Sequence, residues 1–491
     1  MKWIVAIVLG IMPMRVFLQC APDSIFDRDL LVEDFEDLVK TIQESHPDPY
    51  AFCGKENFYL AEQRALSEIH DSLSLAEFTK VVSRFLNVMQ DSHTSLDYGY
   101  LQDIQFNDNG YYLPLSVRKI GGGTDFDQIV VGGEWTQGLP KGSTIISINN
   151  IPIEDIYEEA LNYACIEGNS TIAQSSVAVA LIPIVCGLEH SYNRYNTICF
   201  IPPGSNEMKV AKVDGIQRKA YGEIRRAKEK AKPSWMPELQ FDEDLSLAIL
   251  KVPTFSPASG RKYARYLKNA FLDINQKNIN NLVIDIRGNG GGSSAWVEFL
   301  YSFMDTAGYN TPDNVIGRNS ELAMDRNPFF HSGFVQLMVK LFFKHDEDVI
   351  SYQRISELPM GAVDTVYFND PTKQKQDYIF KGRSFLLING LTASAGVDFT
   401  HAFKARRRGE IIGEQCLGPV TGTWGNPAAY TMPNTGVRMT IATIRYNYDR
   451  TFRYEDAAIE PDHHVANRQD DLQLEIDTQL EFTKSLIQKN P

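Results

Sequence analysis

Apolar positions recur at helical spacing in the first part of the chain, from Asp27 to Leu96. Leu30, Leu31, Phe35, Leu38, Val39 and Ile42 fall on one stripe, and His46-Pro47-Asp48-Pro49 stops it. A second stripe, Phe78, Val81, Phe85 and Met89, follows Ser74 and Glu77, which have the spacing of a capping box. From Tyr111 to Phe200 the pattern shortens to alternating runs separated by glycine-rich turns, which predicts strands. Residues 206–243 are charged and helix-prone and read as a connector. From Leu245 onward, strand-length apolar runs alternate with helical stretches, which predicts an α/β core with a mixed sheet. Tyr301 to Asp377 interrupts that core with an apolar helix, Phe334 to Val339, suited to wall a cleft. The chain thus divides into an N-terminal helical domain (21–100), a β module (101–205), the connector, an α/β core (244–470) with an insertion at 301–380, and a C-terminal helix (471–491).

Two segments of the core carry chemistry. Ser384 to Asn389 is a buried-strand pattern that gives way, through Gly390-Leu391-Thr392-Ala393-Ser394-Ala395-Gly396, to an amphipathic helix from Val397 to Arg407. Ser394 therefore lies near a helix N-terminus, where free backbone N–H groups and the helix dipole favour an oxyanion formed beside its hydroxyl. A plain helix N-cap serine is the alternative. Asn281 to Ile286, another strand pattern, runs into Arg287-Gly288-Asn289-Gly290-Gly291-Gly292. Three consecutive glycines weaken a core and suit a backbone that approaches something closely or presents N–H groups. The loop lacks the Gly-Lys-Ser/Thr ending of a phosphate loop and the spacing of a dinucleotide-binding turn, so nucleotide binding is the weaker reading.

Together these segments resemble the active-site loops of the C-terminal processing (tail-specific) serine peptidases. The resemblance extends to Gly413-Glu414, to Met432-Pro433-Asn434-Thr435-Gly436 and to Glu455-Asp456-Ala457-Ala458-Ile459-Glu460-Pro461-Asp462, and covers Leu245 to Val465. It implies a crotonase/ClpP-like mixed-sheet core, an endopeptidase that hydrolyses peptides or unfolded proteins through an acyl-enzyme, and no cofactor. Gly138 to Asn150 resembles the centre of a PDZ module, a small β-barrel that binds extended chains, although its usual carboxylate loop is not evident. Most members of the family deprotonate the serine with a lysine in the loop after the next strand. Here that loop, Gly413 to Gly422, has none, and no lysine occurs between Lys404 and Lys484.

A serine hydroxyl needs a base within hydrogen-bond reach, which directs attention to the nine histidines. His401 is on the helix that follows Ser394, about 10 Å along its axis. His463 and His464 lie in a polar stretch and read as surface residues. His93, in Asp91-Ser92-His93-Thr94, follows the end of an amphipathic helix, and this segment resembles the histidine motif of the tricorn-core branch of the same family. The resemblance implies His93 as base, Ser394 as nucleophile, Glu455 as orienting acid, and an oxyanion held by the Ala395 N–H and one glycine N–H among Gly290, Gly291 and Gly292. The branch's second serine, five residues past the nucleophile, is Phe399 here, with Thr400 beside it. A link from His93 to Glu455 would then run through Thr400, through a water, or be absent.

Composition narrows the partners. With 491 residues, 43% of them hydrophobic and 22% charged, the chain is an ordinary globular one of two or three domains. A net charge of −14 argues against nucleic acid and anionic membranes as main partners. Lys2 followed by the apolar run Trp3 to Met14 predicts an export signal. Val16-Phe17-Leu18-Gln19-Cys20 resembles a loose bacterial lipoprotein box, which implies a periplasmic protein or one anchored to the outer membrane through Cys20. No other segment reads as a membrane span. Cys53, Cys165, Cys186, Cys199 and Cys416 have no metal spacing, and one disulfide among Cys165, Cys186 and Cys199 is open in an oxidising compartment. Two other functions stay open: a catalytically silent relative that binds peptides, and an esterase or amidase on small substrates.

Overall fold

The computed structural model describes residues 21–105, 110–121, 128–132, 138–231, 233–305, 312–326, 347–368, 376–448 and 457–489. Residues 1–20, Phe334 to Val339 and Glu455 lie outside these. The N-terminal domain is built on three helices, Arg28–Ser45, Gly54–Glu68 and Leu75–Asn87. Ser74 accepts the Glu77 N–H, and Glu77 accepts the Ser74 N–H in return, so the third helix begins on the capping box. Leu31, Phe35, Leu38, Val39 and Ile42 are buried, whereas Leu30, at the edge of its stripe, is 40% exposed. Phe85 meets Phe35 and Phe58 edge to face at 5.1 and 5.2 Å, an arrangement that adds quadrupole attraction to burial.

The β module is an open antiparallel sheet with strands in the order Lys209–Asp214, Tyr195–Ile201, Thr144–Ile148, Gln128–Val131 and Val117–Ile120. Its end strands do not pair with each other, so the closed barrel expected from the PDZ resemblance is not formed among the described residues. Helices Ile153–Tyr163 and Thr171–His190 also belong to this module, where an all-strand pattern was expected. The second is long and apolar enough to cross a membrane, contrary to the expectation that no further segment is. Here 67% of its apolar window is buried inside the protein, as a core helix. A helix that is apolar on nearly every side has no continuous polar face, and therefore little period for the sequence to display. The connector is also shorter than expected. Lys209–Asp214 completes the module's sheet and Glu238–Asp242 begins the core's sheet, leaving helix Arg218–Ala231 between them. Cys165, Cys186 and Cys199 are free thiols, so the optional disulfide is not formed.

The core is a mixed sheet in the order Glu238–Asp242, Leu247–Lys251, Asn281–Asp285, Arg383–Ile388, Glu410–Gly413 and His463–His464. Only the first pair is antiparallel. Strands Asn281–Asp285 and Arg383–Ile388 are neighbours, with Asp285 opposite Leu387. The glycine loop and the serine turn therefore leave the same sheet edge side by side, at the carboxyl ends of parallel strands where α/β folds place their sites.

The helical domain is fastened to this core by backbone and side chain. Ser95–Leu96 pairs with strand Arg438–Ile441, and the buried Asp34 carboxylate accepts the N–H groups of Asn434 and Thr435 and the Thr435 hydroxyl. Asp34→Ala would leave those donors unpaired in a buried joint. It is expected to destabilise the protein by roughly 2–4 kcal/mol, read as a lower urea midpoint and Tm, with Asp34→Asn losing less.

Candidate active site

Ser394 stands at the N-cap of helix Ala395–Ala405, with φ 51° and ψ −124°. Its side chain accepts no capping hydrogen bond, so the plain N-cap reading does not hold. A non-glycine residue in this region is strained and persists only where its surroundings over-determine it. They do so here. Thr392 Oγ1 donates to the Ile286 carbonyl at 3.0 Å, the Ala393 N–H donates to Asn289 O at 2.9 Å, and the Leu417 N–H donates to Thr392 O at 2.8 Å.

The glycine loop lies directly against this turn. A Cβ on Gly291, whose φ is +99°, would fall 2.6 Å from Ser394 Cβ and 2.9 Å from Ala395 N. Gly292, with φ +141°, packs so closely on Phe255 that a Cβ would fall 2.2 Å from its carbonyl. The Gly291 N–H is already taken by Asn289 Oδ1 at 2.9 Å, which corrects its place among the expected oxyanion donors. Among the described residues, the N–H groups of Gly290 and Ala395 have no such partner. Arg287 anchors the loop from below, with a forked contact to Asp285 and another to Asp477 near the C-terminal helix Thr478–Lys489.

His93 reaches Ser394 from the helical domain, with Nε2 and Oγ 3.1 Å apart. Its backbone is pinned on both sides. The His93 N–H donates to Asp91 Oδ1 at 2.8 Å, Thr440 Oγ1 donates to the His93 carbonyl at 2.8 Å, and the Ala442 N–H donates to Thr94 Oγ1 at 3.0 Å. On the far side of the ring, Nδ1 lies 3.4 Å from Glu167 Oε1 and 3.8 Å from Asp91 Oδ1. Glu167 is fully buried in the turn between the two helices of the β module. Its oxygens accept the Thr423 hydroxyl and the Trp424 N–H. Sequence reasoning missed this carboxylate, because Cys165-Ile166-Glu167-Gly168-Asn169-Ser170 carries no motif.

The other expected residues are placed as follows. Phe399 is fully buried and packs near Phe255 and Tyr301. Thr400 Oγ1 donates to the Gly396 carbonyl one turn back at 2.8 Å, so its proton does not serve a relay to the histidine. His401 stacks on Tyr448 with ring centres 4.2 Å apart, and His463 pairs with Glu410 at 2.8 Å.

Three buried carboxylates shape the electrostatics. Burial alone would depress the His93 pKa, but Glu167 first, then Asp91 and Asp398, outweigh it and hold the imidazole above its ordinary 6.5. Asp398, in the first turn of the serine helix, is pushed up to about 7 by burial and by the charge of Glu167, against the hydroxyl that Tyr448 donates at 2.6 Å. Burial would also raise Asp91, but its hydrogen bond with His46 and the neighbouring His93 and Thr94 leave it below the usual carboxylate range. The ligand atoms of Asp91, His93 and Glu167 lie within 4.8 Å of one another, so these three could hold a metal ion by composition. Both carboxylates already receive protein donors, Asp91 from the His93 N–H and Glu167 from Thr423 and Trp424.

Comparison with known proteins fits this geometry. Residues 246–465 match the model of Peptidase family S41. No curated protein sequence matches the chain. Among solved structures, mature CPAF is 14% identical over 94% of this chain and 98% of its own, with a TM-score of 0.61. A CPAF mutant is 15% identical over the same shares with a TM-score of 0.65, and mature CPAF complexed with lactacystin is 14% identical over 93% and 98% with 0.62. At these identities the likeness is one of fold, a mixed α/β multidomain architecture. The family match lies over the core, residues 246–465, and that part of the chain, which carries the serine turn and the glycine loop, is a serine peptidase domain of family S41.

Proposed function

We propose that the chain is an endopeptidase that cleaves peptides or unfolded proteins through an acyl-enzyme on Ser394, with His93 as the base and Glu167 as the acid that orients it. The observation that carries this reading is the 3.1 Å contact between His93 Nε2 and Ser394 Oγ, a hydrogen-bond distance between a nucleophile and its base. As Oγ attacks the scissile carbonyl carbon, its proton passes to His93 Nε2, and the carbonyl π electrons move onto oxygen. The Gly290 and Ala395 N–H groups, free of other partners among the described residues, suit that oxyanion. Collapse expels the amine, which takes the proton from His93 and leaves the acyl-serine. A water deprotonated by the same nitrogen then releases the acid and restores Ser394. Glu167 supports the reading because its buried charge faces Nδ1 at 3.4 Å and stabilises the imidazolium formed in both steps. Glu455, expected in this role from the family resemblance, lies outside the described residues. We further propose that residues 1–20 direct export, with Cys20 as a lipid anchor. The apolar run behind Lys2 supports this, and globomycin-sensitive processing at Cys20 in a bacterial host would test it.

A serine-directed fluorophosphonate is expected to label Ser394 in the wild type, and Ser394→Ala or His93→Ala to lower casein turnover at least about 1,000-fold. His93→Ala with wild-type turnover would place the base elsewhere. Only the neutral imidazole accepts the proton, and His93 is held above its ordinary value. Catalytic efficiency should therefore be level at alkaline pH and fall through an acid limb centred above 6.5, measured as kcat/KM against pH. Gly291→Ala forces a Cβ onto Ser394, and turnover is expected to fall by roughly 100-fold with near-normal folding by circular dichroism. Glu167→Gln should lower kcat by about 100-fold or more, while Glu455→Gln should leave it within about threefold. The reverse ranking would restore Glu455 to the orienting role.

A further inference from the structure

Behind the base stands a second histidine–carboxylate pair. His46, at the end of helix Arg28–Ser45, is 1% exposed, and its Nε2 lies 3.1 Å from Asp91 Oδ2, a carboxylate equally buried. The Asp48 N–H donates to His46 Nδ1 at 3.2 Å. A nitrogen that accepts carries no proton, so the proton of this ring is on Nε2 and is donated to Asp91. The ring is wedged against Trp424, with ring centres 4.3 Å apart, and the His46 carbonyl accepts Arg318 Nε at 2.9 Å. Asp91 Oδ1, the other oxygen, accepts the His93 N–H at 2.8 Å and lies 3.8 Å from His93 Nδ1.

We propose that Asp91, held by His46, is a positioning residue of the peptidase: a second carboxylate that fixes the His93 ring toward Ser394 and shares with Glu167 the stabilisation of its charged form. The proposal rests on His93 being the base. Its physical content is that one carboxylate does two jobs. Through its backbone contact it sets where the histidine turn sits, and through its charge it sets how readily the imidazole takes a proton. His46 makes the first job possible, because an Asp91 side chain without that donor could rotate away from the turn. A buried carboxylate whose oxygens are met by His46 and by the His93 N–H has little freedom left. The same arrangement explains why two carboxylates sit together in a buried site. Each has its own protein donors, and the positive charge that develops on His93 during turnover lies between them.

The charged and titratable groups facing His93 are Glu167 from the β module, Asp91 from its own turn, and Asp398 from the serine helix. Those facing Asp91 are His46, His93 and the Cys165 thiol, which burial pushes up to about 12 and so keeps neutral. Removing the Asp91 charge therefore takes away one of the three carboxyl groups beside the base, the others being Glu167 and the partly protonated Asp398, and adds no new one. The imidazolium becomes less favoured, and the acid limb of activity should move to lower pH. A residue that merely holds the fold together would lower the rate at every pH and leave the limb where it is.

The experiment uses the full chain with fluorescent casein and a fluorophosphonate probe, following kcat, KM and probe inactivation rate against pH. Asp91→Asn is expected to lower kcat by roughly 10- to 100-fold, leave KM within about twofold, and shift the acid limb of both reactions to lower pH. His46→Phe keeps the packing on Trp424 and removes the donor, and is expected to lower kcat about 10-fold, with His46→Gln, which retains an N–H, recovering most of it. Should Asp91→Asn fail to fold, the His46 pair decides: equal kcat in His46→Phe and wild type overturns the proposal. A folded Asp91→Asn with the wild-type limb overturns it also, while His93→Ala remaining inactive would show that the base assignment stands. Wild-type activity and limb in His93→Ala would instead remove the base assignment, and this proposal with it.

Discussion

Everything in the candidate site depends on one short contact between side chains that the chain separates by 301 positions, the 3.1 Å approach of His93 to Ser394. Each of the three structural units contributes one member. Ser394 comes from the α/β core, His93 from the helical domain, and Glu167 from the β module. The site therefore exists only while all three units are packed, and its precision is that of their joints. A misplacement of about 1 Å can cost two orders of magnitude in rate, which gives a reason for the density of polar fastening around the histidine turn. The turn is hydrogen-bonded to strand Arg438–Ile441 and its neighbours through the carbonyl of His93 and the side chain of Thr94, and Asp34 clamps the far end of the same hairpin.

Two local costs accompany this arrangement. Ser394 holds a positive φ that a serine adopts only under constraint, of the order of 1–3 kcal/mol, and the hydrogen bonds of Thr392, Ala393 and Leu417 hold it there. Asp91, Glu167 and Asp398 are all nearly or fully buried beside one imidazole. Bare charges in such a place would be untenable, and each is met differently. Asp91 is met by His46 and the turn N–H, Glu167 by Thr423 and Trp424, and Asp398 by Tyr448 and by a pKa pushed up to about 7. The strain and the buried charge fall on the residues proposed to do the chemistry, which is where such costs concentrate in enzymes.

The serine turn and the glycine loop were legible in the sequence because their meaning is local. Strand, glycines and helix start are adjacent along the chain, and the conformations that bring N–H groups and a hydroxyl together are set within a few residues. His93 was legible through its short motif, and the stripes of the helical domain through their period, although Leu30 proved to lie at the solvent edge. The sequence by itself thus determined the likeness of the core to serine peptidases, the serine turn with its glycine loop, and the mixed sheet. Only the tertiary structure brought Glu167 to face the histidine, engaged the Gly291 N–H with Asn289, and made Thr171–His190 a largely buried helix rather than part of a strand pattern. Glu167 carries no signal in its own neighbourhood, and its partners, His93, Thr423 and Trp424, lie on other parts of the chain. Which carboxylate comes to lie beside the histidine is a property of how separately folded surfaces meet, and contacts between remote segments leave no periodicity or spacing in a single chain.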